Sequence, residues 1–350
     1  MTDLRHHGDL DARPGLEDFA VNVRGSAPPA WLREHLAAAL DRIGTYPSTE
    51  DDLAARRAVA ARHGRSPGEV LVLAGAAEGF ALLPALAPRT AALVHPSFTE
   101  PEVALRQAGV RVHRVLLDAA DGYALRPGLV PGDADLVVLG NPTNPTSVLH
   151  PAATIRALAR EGRTLVVDEA FMDAVPGEPE TLAGVDVPGL LVLRSLTKAW
   201  ALPGLRAGYA LGHPDLLARL AAHRPHWPVG TLQLAAVEAC ASPIAVAEAD
   251  AAAVSTARHR AHLATELAAL PGVVVHEPAA GPFLLLRVRD GERVRAGLRD
   301  RGIAVRRGGT FPGLSADHIR VAVRDPARTA LLVDALRAEL STEVPTWGQA

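Results

Sequence analysis

From Val70 to about Gly212, short apolar runs alternate with stretches of helical character. The runs are VLVLAG from Val70, TAALVHPSF from Thr90, VRVHRVLL from Val110, ADLVVLGNP from Ala134, TLVVDEAF from Thr164, LLVLRSLTK from Leu190 and LRAGYALG from Leu205. Each is Leu-rich or β-branched and mostly apolar at consecutive positions, which predicts strands covered on both faces. Intervening stretches such as EPEVALRQAG and PAATIRALAREG predict helices. The alternation predicts an α/β domain built on a largely parallel sheet. After about Cys240 the texture changes. An Ala-rich stretch, roughly Ile244 to Leu270, predicts one or two helices. The segments PGVVVHEP, GPFLLLRVRD, VRAGLRDRG, IAVRRGG, HIRVAVRD and ARTALLVDALRAEL then predict a smaller α+β domain. The final TEVPTWGQA carries no pattern.

Composition narrows the classes. The 350 residues are 48% hydrophobic and 21% charged with a net charge of −3, a globular balance long enough for a large domain and a smaller one. One cysteine, Cys240, excludes an intramolecular disulfide and a Cys-rich zinc site, and a reducing cytoplasm is the expected location. The opening MTDLRHHGDLDARPGL has no apolar core, so no signal peptide is expected. No apolar run reaches the roughly 18 residues of a membrane span, so no membrane partner is expected. The slight acidity and 4% aromatics give no nucleic-acid footprint. The pair His223 and His226 lacks a carboxylate cluster, so no metal is expected, and His6-His7 reads as a flexible arm. The sharpest compositional fact is that Lys198 is the single lysine among 36 basic residues. A GC-rich coding bias exchanges lysine for arginine. A survivor marks a position where arginine fails, as it does wherever a neutral amine is needed.

Ligands in such sheets bind beyond the carboxyl ends of the strands, where four motifs fall. Gly75-Ala76-Ala77-Glu78 is either an ordinary strand-to-helix turn or a small-residue turn whose N–H groups meet a phosphate. Asn141-Pro142-Thr143-Asn144-Pro145-Thr146 is either a surface turn or a rigid loop aiming Asn144 into a site. Asp168, ending an apolar strand, is either solvated or the partner of a buried cation. In Ser195-Leu196-Thr197-Lys198 and Pro203-Gly204-Leu205-Arg206, two hydroxyls and a guanidinium can converge on one phosphate, and Lys198 is either a lone solvent lysine or, beside them, a nucleophilic amine, which the scarcity of lysine favours.

Read in order, GAAE, PSF, NPTNPT, DEAF, SLTK and PGLR resemble the fold-type I pyridoxal-phosphate enzymes of the class I/II aminotransferase family. The resemblance runs from Asp18 to Leu340. It is nearest to the histidinol-phosphate aminotransferase branch and to the threonine-phosphate decarboxylases of cobalamin biosynthesis, on DEAF-x-D and LRSLTKAWALPGLRAGY. It implies an α/β large domain with a mostly parallel seven-stranded sheet over residues 46–245. An N-terminal arm with part of the small domain (1–45) and a C-terminal small domain (246–350) complete the expected organisation. It implies pyridoxal 5′-phosphate as cofactor, with Lys198 as the Schiff-base lysine, Asp168 keeping the pyridine nitrogen protonated, Asn144 on the 3-oxygen and Phe98 stacked on the ring. Ala76, Ala77, Ser195, Thr197 and Arg206 match the phosphate cup. Phe171 stands where most aminotransferases have a tyrosine that donates to the 3-oxygen. Tyr46 resembles the tyrosine that reaches the cofactor phosphate of a neighbouring subunit, which implies a homodimer sharing its sites. Arg320 matches the arginine on the substrate carboxylate. Arg306, with Arg307 as its rival, resembles a second anion-binding arginine, and Asn22 falls at an active-site asparagine of the arm. The arm departs from the family pattern at Val23-Arg24-Gly25-Ser26, and His7-Gly8-Asp9 matches an N-terminal His-Gly-Gly only in part.

The implied substrate is a small amino-acid phosphate. Phe171 places decarboxylation of L-threonine O-3-phosphate first, with amino transfer from histidinol phosphate to 2-oxoglutarate as the alternative. Either way Lys198 is the general acid/base.

Overall fold

The computed structural model describes residues 4–341. The TEVPTWGQA tail, expected to lack regular structure, lies outside the described residues.

The chain opens with strand β1 (Glu17–Phe19), then helices α1 (Ala30–Ala39) and α2 (Thr49–His63). The large sheet takes β2 (Val70–Leu73), β3 (Thr90–His95), β4 (Arg111–Leu116), β5 (Leu136–Gly140), β6 (Thr164–Asp168), β7 (Leu190–Ser195) and β8 (Gly208–Gly212). Among them lie α3 (Ala76–Leu82), α4 (Glu100–Gln107) and α5 (Ala152–Arg156). Helices α6 (Pro214–Ala221), α7 (Thr231–Cys240) and α8 (Pro243–Ala268) follow. The last part holds β9 (Val273–Val275), β10 (Phe283–Val288), α9 (Gly291–Asp300), β11 (Ile303–Arg307), β12 (His318–Ala322) and α10 (Pro326–Ser341).

The seven strands run in the order β2-β8-β7-β6-β5-β3-β4. All neighbours pair in parallel except β8, which runs antiparallel to both β2 and β7. Its start therefore lies at the edge where the other strands end. Every residue of β3, β5, β7 and β8 is buried, as their consecutive apolar positions predict. The expectation of two covered faces fails for β4, an edge strand in which Arg111, Arg114 and Leu116 are exposed.

The Ala-rich stretch forms one helix, α8, whose N-terminus is capped by the Ser242 hydroxyl accepting from the Ala245 N–H. Beyond it a five-stranded sheet runs β1-β11-β12-β10-β9. The N-terminal β1 thus pairs with β11, in parallel, across most of the chain length. Phe19, Leu263, Leu284, Ile319 and Leu336 share the core of this second sheet.

Candidate active site

The ends of β2, β5, β6 and β7, the start of β8 and the inner face of the small sheet enclose a cavity of about 370 Å³. Thirteen of the fourteen residues singled out in the sequence line it: Asn22, Ala76, Ala77, Phe98, Asn144, Asp168, Phe171, Ser195, Thr197, Lys198, Arg206, Arg306 and Arg320. Tyr46 does not. It is 73% exposed and stacks on Trp227 with ring centroids 4.0 Å apart.

One end of the cavity is a cup for an anion. Gly75 has φ +80°, and a Cβ there would stand 2.9 Å from an Arg206 guanidinium nitrogen, so only glycine lets the guanidinium close over the turn. Ala76 and Ala77 begin α3, where the first N–H groups have no helical acceptor. The hydroxyls of Ser195 and Thr197 lie 2.7 Å apart, buried. Arg206 enters with φ +62° just before β8, carried by the antiparallel course of that strand.

Asp168 and Lys198 occupy the middle. Among the described residues, the one hydrogen bond to the Asp168 carboxylate comes from the Ala170 N–H at 3.0 Å. Burial, then the adjacent Glu169, push its pKa up to about 6, against the pull of Ala170 and Lys198. Burial, then Arg320 and Arg206, push Lys198 down to about 8. The lysine turn is fixed at its backbone, where the Lys198 carbonyl accepts from Arg24 N–H at 3.0 Å. Phe98 packs against Phe80 and His7, with centroids 5.8 and 5.4 Å away.

The other end is strongly cationic. Arg306 and Arg320 are register partners across β11 and β12, so their side chains leave the same face. Like charges directly opposite destabilise a sheet unless something answers them. Asp11 answers Arg306 at 3.5 Å, and the His6 carbonyl accepts from it at 2.6 Å. Arg307 turns outward to Glu292 at 2.7 Å, which leaves Arg306 as the arginine in the cavity. Arg320 donates to Asn144 Oδ1 at 2.5 Å and to the Ala20 carbonyl, and among the described residues no carboxylate pairs with it. Burial pulls both guanidinium groups below their usual range, yet each remains a cation at neutral pH. Asn22 is 5% exposed, and among the described residues neither its amide nitrogen nor its oxygen has a partner. Lining the cavity, its amide is open to a ligand or to water there.

Two features go beyond the sequence expectations. His7, expected in a flexible arm and matched only in part to the family's His-Gly-Gly, lies on the cavity wall with Gly8 and Asp9, and its ring bonds Glu100 at 2.7 Å. Thr99 also donates to the Leu4 carbonyl, so this segment is held from the large domain as well as through Asp11. The second is Arg194, fully buried among Glu169, Asp173 and Glu178. An arginine ending an apolar strand, with carboxylates clustered from Asp168 to Glu180, was the available signal. Among the described residues, no group of three or more His, Cys, Asp or Glu is placed to hold a metal.

These residues fit pyridoxal phosphate: an anion cup, a buried acid short of donors, a buried amine between them, and an orphaned amide. The family model for aminotransferase class I and II matches residues 18–336. The chain is 55% identical over 320 residues to a histidinol-phosphate aminotransferase of Mycobacterium tuberculosis, covering 91% of this chain and 87% of that one. It is 33% identical over 348 residues to the threonine-phosphate decarboxylase of Salmonella typhimurium, covering 94% and 93%. The crystal structure of the histidinol-phosphate aminotransferase from Clostridium acetobutylicum superposes with a TM-score of 0.85 at 23% identity, covering 93% of this chain and 100% of that one. The seven-stranded sheet and its second domain are accordingly the fold-type I architecture, and the chain belongs to the class I and II aminotransferases, enzymes that work with pyridoxal 5′-phosphate.

Proposed function

We propose that the protein is an aminotransferase of the histidinol-phosphate type, moving the amino group of a phosphorylated amine to a 2-oxo acid. The 55% identical relative supports this over the decarboxylation that Phe171 put first. The observation that carries it is the bond from Arg320 to Asn144. An anionic group taken by Arg320 is held beside Asn144 rather than left free to turn. Such a hold suits cleavage of the α-carbon's bond to hydrogen. Histidinol phosphate has no carboxylate to lose, and its phosphate suits the paired Arg306 and Arg320. The same pair suits the two carboxylates of glutamate in the return half of the reaction.

The cofactor supplies an electron sink for the bond broken at the α-carbon. The remaining work belongs to the chain. Ala76, Ala77, Ser195, Thr197 and Arg206 would hold its phosphate, Phe98 would cover its ring, and Asn144 would donate to its 3-oxygen. Asp168 would keep a proton on the pyridine nitrogen. Lys198 binds the cofactor, and its suppressed ammonium lets it take the α-proton and return it. Phe171, 4.9 Å from Phe283 edge to face, excludes water where relatives place a hydroxyl. Tyr46 and Trp227, both exposed, form the contact with a second copy, in which Tyr46 serves the neighbouring site.

A second reading, decarboxylation of L-threonine O-3-phosphate, is favoured by the missing phenol at Phe171 and by two arginines suited to two anionic groups. One experiment separates them. The protein is incubated with histidinol phosphate and with L-threonine O-3-phosphate, each with and without 2-oxoglutarate. Glutamate formed from histidinol phosphate only when the oxo acid is present supports amino transfer. Aminopropanol phosphate formed without the oxo acid would replace it with decarboxylation.

A further inference from the structure

Behind the cavity, on the side of the large sheet covered by α2, Arg194 is completely buried. It stands one residue before Ser195 at the end of β7. It donates to Glu169 at 3.0 Å, to Asp173 at 2.7 Å, and to both Glu178 oxygens at 2.7 and 2.9 Å. Arg62, from the end of α2, joins the same Asp173 and reaches Glu178 at 2.8 Å. Glu169 also accepts from the Thr181 hydroxyl and the Leu182 N–H, each at 2.6 Å. Two cations thus face three carboxylates in an interior where an unpaired charge is strongly destabilising.

The placement of these carboxylates matters more than their number. Glu169 adjoins Asp168, and Asp173 and Glu178 lie on the segment that leaves it. Arg194 adjoins Ser195 and is four residues from Lys198. The backbone bonds between the two strand ends stop at Glu169 N–H to the Leu193 carbonyl, 2.9 Å. Beyond that point the side chain of Arg194 is the tie between the segment bearing Asp168 and the segment bearing the phosphate cup and Lys198. A fully buried guanidinium with four charge-assisted bonds has little freedom, which suits it to hold two loops at a fixed separation.

We propose that Arg194 is a positioning residue that sets Asp168 against the Ser195–Lys198 turn, and so sets how the cofactor ring is held. It touches neither cofactor nor substrate, acting through Glu169, Asp173 and Glu178. The inference rests on the reading of Asp168 as the partner of the ring nitrogen.

The test compares Arg194→Met, Arg194→Lys and Asp168→Asn as purified enzymes loaded with pyridoxal phosphate. Three quantities are read: the melting temperature, the dissociation constant of the cofactor, and the circular dichroism of its visible band, which reports how the ring sits. Arg194→Met is expected to bind the cofactor about tenfold more weakly, as happens when outer partners of ligating groups are lost. Its visible-band signal should be altered, and Arg194→Lys should recover part of both. An Arg194→Met enzyme that melts cooperatively with wild-type affinity and wild-type dichroism overturns the proposal. Should Arg194→Met not fold, Glu178→Gln decides, since Glu178 touches the cluster and not the cavity. An altered visible band there supports the tie, and an unchanged one overturns it. Asp168→Asn tests the underlying reading separately. A normal visible band in that variant overturns both, whereas a normal band in Arg194→Met alone overturns only the role of Arg194.

Discussion

Lys198 shows how far a single position constrains chemistry. Its amine is buried between Arg320 and Arg206, and its pKa falls to about 8. Capture of pyridoxal phosphate by the apoenzyme should therefore speed up as pH rises from 6 and level off above about 8, read by growth of the visible band. A rise that continues toward pH 10, where ordinary lysines titrate, would contradict the environment described. Borohydride should then fix the cofactor to one peptide, the one containing Lys198. Asp168 carries the opposite tension. Its folded-state pKa lies near 6 against an ordinary 3.8, so its ionised form opposes folding of the apoenzyme. That penalty is fully present above about pH 6 and disappears as pH falls below about 4. Its upper bound is about 3 kcal/mol at neutral pH. Asp168→Asn should consequently raise the melting temperature of the apoenzyme at pH 7 while abolishing turnover, and the gain should vanish near pH 4. Both residues were legible in the sequence as types: a lone lysine, and an acid ending an apolar strand. Their proton affinities were not, because burial and neighbouring charges set them.

At the scale of elements, strand ends explain the site. Strands β2, β5, β6 and β7 are short and mostly buried, and their chemistry falls on their last residues or within a few residues beyond them. The antiparallel β8 delivers Arg206 to the same edge. The arginine pair on β11 and β12 follows from register, and a slip of one residue in either strand would turn its arginine away from the cavity. Neither the register nor the turn of Arg307 toward Glu292 could be read from AVRRGG, in which two arginines are adjacent. Helix boundaries were more legible where capping is local. Ser48 accepts from Asp51 N–H while Asp51 accepts from Ser48 N–H, opening α2, and Gly64 closes it at φ +65°. Ser48→Ala should cost about 1 kcal/mol in urea denaturation. Since α2 carries Arg62 into the Arg194 cluster, the variant should also loosen the cofactor slightly.

At the scale of the molecule, the N-terminal segment spans both domains. Leu4 and His7 meet Thr99 and Glu100 of the large domain, whereas Asp11 meets Arg295 and Arg306 of the small one. Among the described residues no single helix is long and apolar enough to cross a membrane. The exposed stack of Tyr46 on Trp227 is an apolar surface away from this chain's own cavity. If Tyr46 serves a neighbouring site, Tyr46→Ala and Lys198→Ala should each be impaired alone. Mixed after dissociation, they should regain about one quarter of wild-type activity, because half the dimers then carry one intact site of two. Absence of recovery in mixed dimers confirmed by sedimentation would remove Tyr46 from the shared site.

The sequence by itself determined the α/β order of elements, the family and the cofactor, and it named thirteen residues that line one cavity. These depend on short local patterns: apolar runs, the glycine of a turn, and a lysine that arginine cannot replace. Only the tertiary structure decided which of two adjacent arginines faces the cavity and that the N-terminal histidine segment lines it. It alone showed that Arg194 gathers three carboxylates behind Asp168. Those outcomes depend on strand register and on contacts between segments far apart in sequence. No local pattern records such contacts, because the groups that meet acquire their partners only when the chain closes.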